Sequence, residues 1–114
     1  MNLPKAHLAR VDESKVTGYL LSGDHPDGAS KARFFSRFGF RVSEWGVLAQ
    51  ALKEHAQTNA ISNVVETGYG RRYSVDGSIR SPDRRNPNVR TVWIVENESD
   101  RPRLITAYPL EVEK

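Results

Sequence analysis

The chain has 114 residues, 38% hydrophobic and 27% charged, with 17 Lys and Arg against 14 Asp and Glu and no cysteine. That length supports one domain whose core needs no staples, and the lack of cysteine excludes a disulfide scaffold, a thiolate metal site and a thiol nucleophile. No stretch approaches the roughly 20 apolar residues of a membrane span, Met1–Arg10 lacks a signal-peptide core, and a net charge of +3 permits an anionic partner without demanding one.

Residues 1–11 read as an extended lead-in. Asp12 stands at an N-cap position for a helix over Glu13–Leu21, with Val16, Tyr19 and Leu20 on one apolar face. Ser22–Gly28 is a loop on its turn chemistry. A second helix is predicted over about Ala29–Phe38, with Phe34, Phe35 and Phe38 as its buried stripe and Gly39 as the C′ residue. A third runs from Ser43 and Trp45 to about Ala56, with Val47, Leu48, Ala51 and Leu52 in helical period.

From Ile61 the pattern changes to short alternating runs broken by turn residues. Strands are predicted near Asn63–Thr67, Arg71–Ile79, Val89–Glu96 and Arg103–Tyr108. Helices followed by strands give an α+β fold of one domain over 1–114, with about three helices (12–56) packed on one face of an antiparallel sheet of about four strands (61–109). Alternation in the last strand places Ile105 and Ala107 under the helices and Thr106 and Tyr108 on the opposite face, together with Thr91 and Trp93. Strict alternation also puts Arg103 on the Ile105 side, away from Thr106. An open face bearing Thr, Tyr and Trp can stack a base.

Among the three histidines, His55 ends the third helix, where an imidazolium suits the negative dipole end, and His7 is incidental to the lead-in. His25 is different. It stands between Asp24 and Pro26, ahead of a helix that contains Lys31 and Arg33, so a titratable group adjoins an anion-binding helix end. No HExxH, helical His pair, Walker loop or GxSxG elbow occurs, so neither metal nor cofactor is expected. His, Lys, Arg, Thr and Tyr remain, and they suffice for RNA cleavage, in which the RNA supplies its own 2′-OH nucleophile. The densest basic stretch, Arg80, Arg84, Arg85 and Arg90 against Asp83, would serve a non-catalytic RNA- or protein-binding module equally well.

Several elements taken together carry a resemblance. Asp24-His25-Pro26-Asp27-Gly28 with Lys31-Ala32-Arg33-Phe34-Phe35, then Gly39, Tyr69-Gly70, Tyr73, Val92-Trp93-Ile94-Val95 and Pro102-Arg103-Leu104-Ile105-Thr106-Ala107-Tyr108-Pro109 resemble a small bacterial domain-of-unknown-function family. That family is similar to the compact RNase toxins grouped as the barnase/EndoU/colicin/RelE-like superfamily. The likeness to the small family runs from about Leu3 to Pro109. It implies a metal-independent endoribonuclease that leaves a cyclic phosphate, with RNA as substrate and a cognate antitoxin or immunity protein as partner. It also implies action in the cytoplasm, either free-standing or after delivery within a secreted toxin. On the matching positions His25 would be the general acid or base, Lys31 would stabilise phosphate charge, Thr106 would hold the scissile phosphate, and Tyr108 would do the same or stack a base. Arg72, Trp93 and Arg103 would contact the substrate. An antitoxin- or immunity-type protein that docks a toxin through the same face is the remaining alternative.

Overall fold

The second helix closes with a motif that fixes the geometry around it. The computed structural model describes residues 1–24 and 28–110. Helix α2 spans Ala29–Arg37, and the Gly39 and Phe40 N–H groups donate back to Ser36 and Phe35 carbonyls at 3.0 and 3.2 Å. Gly39 takes φ +100°, a conformation strained for any residue with a Cβ, and this turns the chain so that Phe40 packs edge-on against Phe35 at 5.9 Å. Phe35 and Phe40 are fully buried, whereas Phe34 and Phe38 are only partly covered.

The first helix is shorter and wider than its sequence predicts. Helix α1, Glu13–Lys15, passes into a π turn over Val16–Leu20, closed by the Leu21 N–H on the Val16 carbonyl at 2.8 Å. Gly18 lies inside that turn, where its low helix propensity eases the departure from α geometry. Val16 and Leu20 are fully buried and Tyr19 partly so. Asp12 holds the N-cap position through its backbone carbonyl, but its carboxylate pairs with Arg10 at 3.3 Å instead of capping the helix. Helix α3, Trp45–Thr58, follows a 3-10 turn at Val42–Glu44 and buries Leu48, Ala49, Ala51, Leu52, His55 and Ala56. Val47, expected on the apolar stripe, stays 45% exposed.

The four strands are β1 Ile61–Thr67, β2 Gly70–Ser78, β3 Asn88–Glu96 and β4 Arg103–Pro109. They pair antiparallel in chain order, which leaves β1 and β4 as the edges. The lead-in covers part of the β4 edge: the Arg10 N–H donates to the Pro102 carbonyl at 2.8 Å and the Arg10 carbonyl accepts from the Leu104 N–H at 3.0 Å. The fold is therefore α+β, as the order of patterns predicts, with helices N-terminal and a four-stranded antiparallel sheet C-terminal.

Registers decide which face does what. Trp93 lies opposite Leu104 and Thr91 opposite Ala107, and all four are buried in the layer under the helices. Val92 lies opposite Thr106 and Ile94 opposite Arg103, so Ile105 is the extra residue of a bulge in β4. Leu104 and Ala107 therefore supply the core in place of the expected pair Ile105 and Ala107, and Ile105 is half-buried.

A buried polar chain runs through this core. The His55 Nε2 atom faces the Gly77 and Val89 carbonyls at 3.1 Å each, so it must carry the proton and donate to them. The Nδ1 atom is then the acceptor for the Thr91 hydroxyl at 3.0 Å, and that hydroxyl accepts the Trp93 Nε1–H at 2.8 Å. His55 is thus structural, but it is a neutral imidazole rather than the expected imidazolium. Burial lowers its pKa below the ordinary 6.5, against the opposing pull of the two carbonyls. Because the folded pKa is depressed, the unfolded chain binds the extra proton first as pH falls below 6.5. Stability should be constant above that pH and decline beneath it. A urea midpoint at pH 5.5 lower than at pH 7.5, with a smaller difference in His55→Gln, is the expected result. Equal midpoints for the wild type would contradict it.

Candidate functional site

The sheet face turned away from the helices carries β2 residues Arg72, Ser74 and Asp76, β3 residues Arg90, Val92 and Ile94, and β4 residues Arg103, Thr106 and Tyr108. Cross-strand register aligns them in three rows: Arg72–Ile94–Arg103, Ser74–Val92–Thr106 and Asp76–Arg90–Tyr108. Ser74 and Val92 form a nearly buried floor, 9% and 7% exposed.

The third row is an electrostatic unit. The Arg90 guanidinium binds Asp76 through two parallel bonds, Nε to Oδ1 at 2.7 Å and Nη2 to Oδ2 at 2.8 Å. This bidentate fork fixes the plane of the guanidinium. The Asp76 carboxylate, and after it Tyr108, hold Arg90 more firmly protonated than usual. Arg90, with a smaller contribution from Ser62 on β1, holds the Asp76 carboxyl below the usual carboxylate range. The charge on Arg90 is therefore permanent and its position constrained. Tyr108 is its cross-strand neighbour, Thr106 lies in the next row, and Arg72 and Arg103 lie in the row beyond.

The helical layer joins this face at the β4 edge. Tyr19, in the π turn, places its hydroxyl 3.0 Å from Thr106 Oγ1. Lys15 and Lys31 set their ammonium groups 5.2 and 5.4 Å from the centroid of the Tyr19 ring. Lys31 on α2 is thereby gathered with Thr106 on β4, although 75 positions separate them in the chain.

The sequence-derived candidates divide as follows. Thr106, Tyr108, Lys31 and Arg72 lie on or beside the outer face. Arg103 joins them, because the Ile105 bulge returns it to the Thr106 side that strict alternation denied it. Arg103 reaches Glu96 at 3.4 Å, a contact at the rim. Trp93 does not belong there. It is fully buried beneath the helices with its indole N–H on Thr91, so no base can stack on it, and Thr91 is equally buried. His25 lies outside the described residues. Asp76, Tyr19 and Lys15 are not candidates in the sequence reading, and Arg90 enters it only within the basic stretch Arg80–Arg90. The parity of Arg90 with Val92 and Ile94 was the available signal for the last. The basic loop also resolves differently from a free cationic tract: Arg85 pairs with Asp83, donates to the Arg37 carbonyl at 2.7 Å and stacks on Phe38.

The match to a family model settles kinship, since it spans residues 2–111. The chain belongs to the DUF6883 family, described as a domain of unknown function. A comparison of this DUF6883 chain with curated proteins returns no match. Among solved structures, the DUF6883 fold is similar to a chain of a contact-dependent growth inhibition toxin–immunity protein complex from Klebsiella pneumoniae 342, with a TM-score of 0.70 and 18% identity. The likeness covers 88% of the DUF6883 chain and 98% of the other. At that identity the fold is what the two share. No helix of the described residues is long and apolar enough to cross a membrane.

Proposed function

We propose that this DUF6883 domain is a metal-independent endoribonuclease of bacterial toxin type. The observation that carries the reading is the outer sheet face. There a guanidinium locked by Asp76 stands beside Tyr108, and Tyr108 stands two positions along β4 from Thr106, where Tyr19 and Lys31 converge. Hydroxyls and permanent cations, with no carboxylate cluster among the described residues, suit a phosphodiester. In this reading a base removes the proton of the RNA 2′-OH, and its oxygen attacks the adjacent phosphorus. The 5′-oxygen then leaves with a proton, and a 2′,3′-cyclic phosphate remains. Lys31 and Arg90 offset the charge that builds on the phosphoryl oxygens, Thr106 and Tyr108 orient the group, and Arg72 and Arg103 meet flanking phosphates. His25 enters as the proton-transfer group on sequence grounds alone.

The fold shared with a chain of a toxin–immunity protein complex supports the same reading. It fits a toxin delivered as part of a secreted protein, acting on RNA in the cytoplasm and held off by a cognate immunity protein or antitoxin. The test is incubation of total RNA with the full chain in EDTA, wild type beside Arg90→Met. Discrete fragments from the wild type, formed at least ~10-fold more slowly by Arg90→Met, are expected, in line with the loss of one charge-assisted contact. Equal rates would remove the outer face from the reaction, and RNA intact in both lanes would favour a binding or immunity-type module.

A further inference from the structure

We infer that Lys15, Tyr19, Lys31 and Thr106 form a phosphate-binding subsite at the β4 edge of the outer face. The inference rests on the nuclease reading for its natural ligand, a phosphodiester of RNA, and adds Lys15 and Tyr19 to the residues that hold it.

Three observations converge on this corner. Two hydroxyls from distant parts of the chain, Tyr19 Oη and Thr106 Oγ1, meet at 3.0 Å in a part-buried position. Each can turn its proton onto an anionic oxygen. Two ammonium groups from different helices, Lys15 and Lys31, are drawn over the one ring that carries the first hydroxyl. Both cations lie near the ring whose hydroxyl meets Thr106, and an anionic oxygen that accepts from that hydroxyl gains their Coulombic attraction. A tetrahedral phosphate suits the corner better than a planar carboxylate, because its oxygens diverge toward separate donors.

The local fold explains why the groups meet. Residues Val16–Leu20 form a π turn, a geometry often found at functional sites, and Tyr19 leaves it toward β4 while Val16 and Leu20 stay in the core. In β4 Thr106 lies on the outer face, opposite Val92 and two positions before Tyr108. The corner therefore borders the middle row of the outer face at Thr106, one row from Arg90 and Tyr108.

The test is an NMR titration of the 15N-labelled full chain with inorganic phosphate, compared with sodium chloride at equal ionic strength. Saturable shifts at the Tyr19 and Thr106 amides are expected with phosphate and not with chloride. Tyr19→Phe, Thr106→Val and Lys15→Met should each weaken the affinity about tenfold, the usual scale for one charge-assisted contact. Arg84→Ala, on the exposed β2–β3 loop, should leave it unchanged. Tyr19→Phe keeps the ring that positions both lysines, and a melting curve for each variant separates lost binding from lost folding.

Shifts that map elsewhere, or affinities unchanged in all three folded variants, overturn the subsite. The same proteins incubated with RNA separate the two readings. Phosphate bound at this corner by a chain that leaves RNA intact upholds the subsite and removes the nuclease. RNA cleaved at the wild-type rate by the three variants, with no phosphate shifts, removes the subsite and upholds the nuclease.

Discussion

Trp93→Ala is expected to lower stability by about 3–5 kcal/mol, the range for deleting a large aromatic side chain from a packed core. Trp93 is fully buried, opposite Leu104 in the register and part of the core cluster. The substitution empties that volume and withdraws the N–H that Thr91 accepts at 2.8 Å. Domains of this size hold roughly 5–15 kcal/mol in total, so the variant would be partly unfolded or close to it. Trp93→Phe should cost less, since most of the volume stays and Thr91 still donates to His55. Urea unfolding of the three proteins measures the series. Wild-type stability in Trp93→Ala combined with weakened RNA binding would instead place the indole on the outer face, where alternation alone had put it.

His25→Ala is expected to slow RNA cleavage by at least ~10²-fold, the scale of one general acid–base group. The outer face supplies cations and hydroxyls, Arg90 cannot release its proton, and Asp76 is committed to Arg90 through both oxygens. His55 is sealed in the core by Thr91 and two carbonyls. In the proposed reaction the histidine that moves protons is His25, which shortly precedes Lys31 in the sequence. The loss should fall on kcat. Binding of a 2′-deoxy oligonucleotide, which lacks the nucleophile, should be close to wild type. A His25→Ala protein that cleaves at the wild-type rate would take His25 out of the reaction and leave Lys31, Tyr19 or Tyr108 to move protons.

Much of the fold was legible because its signals are local. Gly39 after an aromatic helix reads as a C′ residue, and it closes the helix as such. The four strands stand within a residue or two of their sequence positions, because turn residues bracket runs of alternating character. Part of the candidate site was legible in the same way: Thr106 and Tyr108 share a face by simple parity. Errors arose where one residue of slip matters. The bulge at Ile105 has no glycine to announce it, yet it shifts the register of β4, moves Leu104 into the core and returns Arg103 to the outer face. Trp93 and Thr91 were misplaced for a related reason. Both faces of β3 carry apolar residues, so parity divides them without saying which half is inside, and the polar partners that let Thr91 be buried, Trp93 and His55, are visible only in three dimensions. The pairs Asp76–Arg90 and Tyr19–Thr106 join separate elements, and no local pattern encodes either.

In the proposed reaction RNA is cut through its own 2′-OH at this face. The most direct measurement is the chemistry of the fragment ends after the wild-type chain has acted on a short RNA in EDTA. Mass spectrometry should find 2′,3′-cyclic phosphates upstream and 5′-hydroxyls downstream, and a single 2′-deoxy residue at the cleavage position should abolish the cut. Fragments ending in 3′-hydroxyls, cleavage that survives the 2′-deoxy substitution, or RNA left whole would each contradict the account.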